Sequence, residues 1–255
     1  MDIVYIVGNG SRWNNNELRY SLRSIEKNGI GLGRVFLVGT APSFISDEVT
    51  VIPYADDPNA APAVNVFHKM LFAMESGVLP EQFLVSSDDH FAITPADLAH
   101  WPLHYKGTHL PSSKDMGNRA LGGKQYVSAI ANTNNLLARF GYHTYYFEGH
   151  ANKLYTLEAY RWLCRQGIIC AAAEYAGGVS LNTPMAMAIH HLHPDYPIIK
   201  RKDIKVRQFS SRSDLETILQ GTNMFSIGDE AVASGIGTFL QEMFPNPSKY
   251  EKNAR

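Results

Sequence analysis

Two adjacent carboxylates stand at the end of an apolar run in the stretch FLVSSDDH, residues 83–90. Asp88 and Asp89 carry like charges, so placing them side by side costs free energy unless a cation or a proton compensates. A polar surface turn would account for the pair without any chemistry. The alternative is a site for Mg²⁺ or Mn²⁺, because these ions prefer carboxylate oxygens and water as ligands. The alternation of a strand predicts that the two side chains point in different directions, so that one of them binds the metal directly.

Asp229 and His150, from the later part of the chain, could also take part in such chemistry. Asp229 follows the apolar run of FSIGDE, where it could complete a metal site or act as a base. The alternative for Asp229 is a helix N-cap before Glu230–Ala233. His150 could accept a proton from a hydroxyl group, because imidazole titrates near neutral pH. A purely structural role is the alternative for His150.

Polar side chains on two predicted helices could contact a phosphorylated ligand. Arg19 and Arg23 are four residues apart and therefore share one helix face. Lys69 could meet a phosphate, and Asn65, one turn earlier, could hold a sugar hydroxyl. Each of these side chains could equally belong to a solvent-exposed face.

The turn Gly8-Asn9-Gly10-Ser11 follows the first predicted strand. It is neither the GxGxxG pattern of a dinucleotide fold nor a P-loop, since no Gly-Lys-Ser/Thr follows it. Its residues alone indicate a plain turn.

A basic run, IIKRKDIKVRQ at residues 198–208, carries five cations. Such a run is commonly a solvated face, and it could also bind an anionic acceptor. The predicted acceptor contacts are Lys200, Arg201 and Lys202. Phosphate attraction of this kind would weaken as salt concentration rises.

Alternating strand and helix patterns are expected to position these residues. The strands are predicted at residues 2–7, 34–38, 49–53, 82–86 and 142–147. The helices are predicted at residues 17–28, 65–76, 127–139, 156–166 and 235–243, and residues 184–193 are ambiguous between helix and strand. This alternation predicts an α/β fold with a mostly parallel sheet, whose ligands bind beyond the carboxyl ends of the strands.

The domain organisation is read from the absence of repeats and linkers. We predict one domain over residues 1–255, with a donor-binding half at 1–100 and an acceptor and catalytic half at 101–255. The aperiodic segment 104–125 predicts a mobile acceptor loop. Cys164 and Cys170 fit no metal or redox spacing and are predicted to be buried thiols.

The composition excludes several classes of protein. The chain has 255 residues and a net charge of −1, so strong attraction to nucleic acid or an anionic membrane is not indicated. No apolar run approaches the roughly 20 residues that cross a bilayer, and no signal peptide is recognised at the start. A cytoplasmic protein without a membrane span is therefore expected.

Several segments resemble the Stealth family of sugar-phosphate transferases, which act in capsule synthesis and include the GlcNAc-1-phosphotransferase that builds lysosomal targeting tags. Asn16–Lys27 resembles the second sequence region of the family, and Phe244–Glu251 (FPNPSKYE) resembles part of its closing region. Four further segments are similar in family order: Asp2–Tyr5 with Gly10-Ser11, Phe83–Asp89, Glu148–Ala151 and Ser226–Asp229.

The chain also departs from the family pattern. Val7-Gly8-Asn9 stands where the family carries Trp-Val-Asp, so that acid is absent. Ser87 replaces the first residue of the family's Asn-Asp-Asp, and Gly228 replaces the Asn before its late acid. The chain is also short for the family.

The resemblance implies a Rossmann-like, GT-A-like glycosyltransferase fold and a metal-dependent transferase that uses a nucleotide sugar, preferably UDP-linked. It implies a metal site of Asp88, Asp89 and Asp229, with Mg²⁺ or Mn²⁺ as the cofactor. The implied catalytic residues are His150, Asp89 and Asp229. The implied donor contacts are Tyr5, Val7, Gly8, Asn9, Gly10, Arg19, Arg23, Asn65, Lys69 and Asp88.

The acceptor is left open between two classes. The resemblance implies a glycan, and the alternative is a hydroxylated base in DNA, which a short chain with a local basic run would suit. A third hypothesis is a non-catalytic protein that binds nucleotide sugars. The absent acid at Asn9 favours that hypothesis, and the pair Asp88-Asp89 opposes it.

Overall fold

The computed structural model describes residues 1–110 and 125–252, and it is an α/β protein with helices flanking a mostly parallel central sheet. The predicted fold class is therefore confirmed. The predicted acceptor loop, 104–125, falls for the most part on residues 111–124, which lie outside the described residues.

The elements of the described residues are numbered in chain order. The strands are β1 (Asp2–Val7), β2 (Gly29–Ile30), β3 (Val35–Gly39), β4 (Val49–Ile52), β5 (Gln82–Ser87), β6 (His90–Ala92), β7 (Ala96–Asp97), β8 (Leu103–Tyr105), β9 (Lys153–Thr156), β10 (Ile198–Lys200), β11 (Lys205–Val206) and β12 (Met224–Ile227). The helices are α1 (Asn16–Asn28), α2 (Pro62–Glu75), α3 (Gln125–Arg139), α4 (Leu157–Arg165), α5 (Ile168–Ala172), α6 (Asn182–Leu192), α7 (Arg212–Leu219), α8 (Asp229–Ala233) and α9 (Ile236–Met243).

The central sheet has the strand order β4-β3-β1-β5-β9. β1, β3, β4 and β5 run parallel, and β9 runs antiparallel to β5. Every residue of β3 is buried, as expected for a strand that is covered on both faces. The chain adds β3 and β4 on one side of β1 and then returns to add β5 on the other side. In open α/β sheets such a reversal opens a crevice beyond the carboxyl ends of the strands.

A second sheet of three strands, β11-β12-β6, follows β5 directly in the chain. Its register pairs Lys205 with Ser226 and Ser226 with His90, so these three residues form one row across the sheet. Only Asp88 and Asp89 separate β5 from β6. The row therefore brings Lys205, from late in the chain, close to the acidic pair.

Helix α1 supports the small sheet through polar side chains on its buried face. Its apolar face is buried as predicted, through Leu18, Leu22 and Ile25. Ser24 Oγ accepts a 3.0 Å hydrogen bond from the Ala92 N–H, and Asn28 Nδ2 donates one of 2.7 Å to the Ala92 carbonyl. Ser21 Oγ donates to the His90 carbonyl at 2.5 Å. These bonds fix β6, and with it the turn that carries Asp88 and Asp89.

Two predictions about the later part of the chain were wrong, and one open assignment is decided by the structure. Residues 142–147 do not form a strand, and a single bridge joins Tyr146 to Gly107. The stretch 184–193, which the sequence leaves open between helix and strand, lies almost wholly in α6. Cys170 is exposed and Cys164 is half-buried, because both lie on helices at the molecular surface.

The sequence predicts no membrane span. Among the helices of residues 1–110 and 125–252, none has both the length and the apolar character needed to span a bilayer.

Candidate functional site

A large cavity of the described residues lies beyond the carboxyl ends of β1 and β5. Ile6 on β1 pairs with Ser87 on β5, so the Gly8 turn and Asp88 leave the sheet side by side. The cavity has a volume of about 840 Å³, within the range typical of small-molecule sites. Its lining residues are Gly8, Asn9, Gly10, Ser11, Arg12, Trp13, Glu17, Asp56, Pro62, Asn65, Val66, Lys69, Asp88, Asp89, Lys205, Arg207, Ile227, Gly228, Asp229, Glu230, Val232 and Ala233.

Asp88 and Asp89 both line this cavity. Strand alternation does not govern their directions, because β5 ends at Ser87 and both acids lie in the turn before β6. His90 is buried, with Nε2 at 3.7 Å from Asp89 Oδ1. Burial and the nearby lysines lower the pKa of His90 to about 3, so the ring is neutral at neutral pH.

Four ion pairs compensate most of the charge on the cavity wall. They join Lys69 Nζ to Asp56 Oδ1 at 2.5 Å, Lys205 Nζ to Asp89 Oδ2 at 3.3 Å, Arg12 Nη1 to Asp229 Oδ2 at 3.5 Å and Arg207 Nη1 to Glu230 Oε1 at 3.5 Å. Arg12, Lys205 and Arg207 are at least partly exposed, so each is a cation that a bound anion could take over. The wall is thus built from partnered charges rather than from a single basic patch.

Two lining acids, Asp88 and Glu17, form no ion pair with the residues that the structure describes. Burial raises the pKa of Asp88 to about 7, and the negative charges of Asp89 and Glu17 add to this shift. The Glu17 Oε2 atom is buried without a hydrogen-bond partner in the same part of the molecule. This corner of the cavity therefore lacks positive charge.

The acidic turn fits a divalent cation that binds together with a diphosphate. Mg²⁺ is commonly held by one or two protein carboxylates, with water and phosphate oxygens completing its shell. Asp88 and Asp89 supply two such carboxylates, and Asp88 has no ion-pair partner among the described residues. Within residues 1–110 and 125–252, however, no three His, Cys, Asp or Glu side chains form a metal-binding group. Asp229, the predicted third ligand, is 70% exposed and pairs with Arg12.

Asn65 and Lys69 line the cavity, but their polar atoms are already bound to protein. Asn65 bridges the backbone of Asp57, donating to its carbonyl and accepting from its N–H at 3.0 Å each. Lys69 is 2% exposed, and its ammonium donates to the Val7 carbonyl at 2.7 Å besides pairing with Asp56. Both side chains therefore position the cavity wall.

Tyr5 and Val7 lie in the core and do not line the cavity, since each is 1% exposed. The Tyr5 hydroxyl lies within hydrogen-bond distance of Ser21 Oγ on α1, at 3.1 Å. The parallel neighbour of Val7 is Gly39, where a Cβ atom would lie 2.2 Å from the Val7 carbonyl oxygen. Gly39 thus lets β3 approach the end of β1 closely, which leaves the Gly8, Asn9 and Gly10 turn facing the cavity.

Arg19 and Arg23 are placed away from the cavity. Their guanidinium groups bind the carboxylate of Glu251 at 2.5 and 2.7 Å, and Glu251 is almost completely buried. Arg19 also packs over the ring of Phe44 at 4.0 Å. The two resembling segments Asn16–Lys27 and Phe244–Glu251 are therefore joined to each other by this cluster.

His150 lines a smaller cavity of about 10 Å³. The rings of His90 and His150 are 6.4 Å apart, edge to face. The backbone N–H of His150 donates to Asp203 Oδ1 at 2.5 Å, and the ring Nε2 of His150 lies 3.9 Å from Asp203 Oδ2. Burial lowers the pKa of His150 to about 4, so it is neutral and able to accept a proton.

The basic run does not form one cationic face. Lys200 and Lys202 are exposed, whereas Arg201 donates to the Asn223 side chain at 2.8 Å. Lys205 and Arg207 point instead into the large cavity. The alternation of this extended segment separates the cations that the sequence places together.

Sequence reasoning assigned no role to several residues that line the cavity. Glu17 and Asp56 are isolated acids in the sequence, and Lys205 and Arg207 were part of the basic run without an individual role. Trp13 offers the cavity an aromatic face and stacks on Tyr20, with ring centroids 5.6 Å apart. An aromatic residue two positions after the Gly8–Ser11 turn was the one signal that could have identified a cavity residue.

Comparison with known proteins supports the fold and assigns the chain to no family. No protein-family model matches the chain, and no curated protein matches it, so the resemblance to the Stealth family is not confirmed. The galactosyltransferase LgtC, solved with donor and acceptor sugar analogues, is similar over 98% of this chain and 97% of its own, with 11% identity and a TM-score of 0.50. An active-site mutant of LgtC has the same coverage and identity, with a TM-score of 0.49. The chain has the α/β fold of GT-A glycosyltransferases.

Proposed function

We propose that this protein is a glycosyltransferase that takes a sugar from a nucleoside diphosphate sugar, preferably UDP-linked, and transfers it to a hydroxyl acceptor. The observation that carries the proposal is the position of Asp88 and Asp89. They lie in a turn beyond β5, beside the Gly8 turn beyond β1, in a cavity of about 840 Å³. The likeness in fold to LgtC supports the same reaction class.

The cavity offers separate contacts for the parts of such a donor. The Gly8-Asn9-Gly10-Ser11 turn provides a close backbone approach for the nucleoside. Trp13 provides an apolar ring on which a base or sugar can stack. Lys205 and Arg207 provide cations for the diphosphate, each now held by an acid that a phosphate would replace.

Mg²⁺ or Mn²⁺ is the proposed cofactor, held by Asp88 and Asp89 together with the donor phosphates. When bound, such an ion would neutralise the negative charge that develops on the departing nucleoside diphosphate. The lack of positive charge around Asp88 and Glu17 supports a cation at this position. Asp229 is proposed to contact the donor from α8, where it lines the opposite wall.

His150 is the proposed general base for the acceptor hydroxyl. Three features support this role: its ring is neutral at neutral pH, it is held by Asp203, and it adjoins the acidic turn through His90. The acceptor is proposed to be a glycan, which approaches from the side of the smaller cavity and Arg201.

Glycosyl transfer and sugar-phosphate transfer differ in the bond that breaks. In glycosyl transfer the bond between the anomeric carbon and the β-phosphate oxygen breaks, and UDP leaves. In sugar-phosphate transfer the bond between the two phosphates breaks, and UMP leaves. We propose the first reaction, because the similar fold belongs to a galactosyltransferase.

The experiment is a thermal-shift screen of UDP-, GDP-, CMP- and dTDP-sugars, each with and without Mn²⁺. A ligand that binds the folded state raises the midpoint by mass action. We expect one donor to raise the midpoint of the wild type in the presence of Mn²⁺, and to lose this effect in Asp88→Asn and Asp89→Asn. Incubation with an acceptor mixture should then release UDP rather than UMP.

Three outcomes would contradict the proposal. Release of UMP would show sugar-phosphate transfer. A donor that shifts the midpoint without turnover, in the wild type and in Asp89→Ala alike, would show a non-catalytic binding protein. The absence of any shift with all four donors would exclude the cavity as a donor site.

A further inference from the structure

We propose that the Lys205 ammonium occupies the metal position beside Asp89 while the cavity has no donor. It leaves Asp89 when a diphosphate and a divalent cation bind together. This inference rests on the proposed function. It assigns Lys205 a role in deciding when the metal binds, which differs from a direct part in the transfer reaction.

The position of Lys205 is fixed by the small sheet. The row Lys205, Ser226 and His90 crosses β11, β12 and β6, and Asp89 precedes His90 directly. The Lys205 ammonium lies 3.3 Å from Asp89 Oδ2, and both side chains are mostly buried, at 26% and 22% exposure. Because β11, β12 and β6 pair in one register, the sheet holds Lys205 close to Asp89.

The charges around the pair favour an exchange rather than simple addition of a metal. A divalent cation on Asp88 and Asp89 would meet the positive charge of Lys205, which lies on the same carboxylate. Lys205 must therefore find another anion before the metal binds tightly. A donor diphosphate in the same cavity provides one.

This arrangement predicts weak binding of free metal and strong binding of metal with donor. The Lys205 side chain lines the cavity wall next to Arg207, so its ammonium can move from Asp89 to a phosphate without a change in the backbone. The protein would then avoid holding a metal in an empty site, and the metal would complete its coordination only after the donor has arrived.

The test measures binding of Mn²⁺ alone by isothermal titration calorimetry at pH 7.5. The variants are Lys205→Met and, as a second neutral replacement, Lys205→Gln. Lys252→Met is the charge-matched control, because Lys252 is exposed and far from the cavity lining. Asp89→Asn in the Lys205→Met background shows whether any gained binding uses the acidic turn. The unfolding midpoint of each variant verifies that it is folded.

We expect Lys205→Met and Lys205→Gln to bind Mn²⁺ at least tenfold more tightly than the wild type, and Lys252→Met to match the wild type. The added Asp89→Asn substitution should abolish the gain. Unchanged or weaker Mn²⁺ binding in both folded Lys205 variants would overturn the inference, as would a gain that survives Asp89→Asn. The donor thermal shift of the wild type decides the proposed function separately, so the two failures are distinguishable.

Discussion

The guanidinium group of Arg23 donates two hydrogen bonds, of 2.7 and 2.8 Å, to the carboxylate of Glu251, which lies 228 residues later in the chain. Glu251 also accepts from the Ser248 N–H at 2.9 Å, and Arg23 reaches the Phe244 carbonyl at 3.1 Å. The cluster therefore ties α1 to the last described segment. Since α1 holds β6 and the acidic turn, this contact supports the cavity from a distance.

Substitution of Glu251 should destabilise the fold without removing a ligand contact. Glu251→Gln leaves two guanidinium groups without their carboxylate, and we expect a loss of about 3 kcal/mol in the free energy of unfolding. Urea denaturation of the variant measures this loss. Glu48→Gln, at an exposed acid, is the control and should change the free energy by less than about 0.5 kcal/mol. A variant that keeps its stability and loses donor binding would instead place Arg19 and Arg23 at the donor.

Lys69 should behave as a structural cation. It is buried, bonds the Val7 carbonyl and pairs with Asp56, so Lys69→Met leaves a carboxylate without its partner. We expect a loss of about 3 kcal/mol in stability, measured by urea denaturation. Because the lost free energy belongs to a pair, adding Asp56→Asn to Lys69→Met should recover part of it.

The donor thermal shift of Lys69→Met distinguishes the structural role of Lys69 from a phosphate contact. If Lys69 bound the donor directly, Lys69→Met would weaken the donor thermal shift while the stability of the free protein stayed near that of the wild type. Lys252→Met serves again as the control for loss of a positive charge.

Acid should destabilise the protein through histidines that are neutral in the folded state. Burial and the nearby Arg201 lower the pKa of His104 to about 3 from an ordinary value of 6.5. The unfolded chain therefore binds more protons than the folded chain between these values, and stability falls as pH falls from 6.5. At pH 5 the contribution of His104 is about 1–2 kcal/mol. His104→Gln should remove it and flatten the pH dependence of stability between pH 7 and 5.

Thermal unfolding at several pH values measures this effect. His100→Gln is the matched control, since His100 is exposed and pairs with Asp97. An equally steep pH dependence in His104→Gln and in the wild type would show that His104 titrates normally in the folded state.

The part of the site that could be predicted from the sequence lies at the ends of the first strands. One rule predicts that Gly8, Asn9, Gly10, Asp88 and Asp89 lie together. The residues that follow parallel strands lie at the same edge of the sheet. Their presence together in the cavity agrees with that rule.

The rest depends on contacts that local patterns do not encode. Lys205 reaches Asp89 only because the short strands β11, β12 and β6 pair in one register, and strands of two to four residues leave almost no periodic signal. Arg19 and Arg23 have the helical spacing of a ligand-binding face, yet a buried acid from the other end of the chain binds them. The sequence alone does not indicate which partner a cation finds.

His150 should affect turnover far more than donor binding. As the proposed base it takes the proton of the acceptor hydroxyl, and loss of a general base commonly lowers the rate by about 10²–10⁴-fold. His150→Gln should therefore lose at least about 10²-fold in kcat and keep the donor thermal shift, because His150 lies outside the large cavity. His104→Gln is the control, since His104 lines the same small cavity and its ring packs against Trp101 at 4.9 Å. Equal losses in both variants would indicate a disturbance of the small cavity, and a base elsewhere. An isolated loss in His150→Gln would match a proton acceptor, because a glutamine side chain keeps the size and polarity of the site but cannot take up the proton.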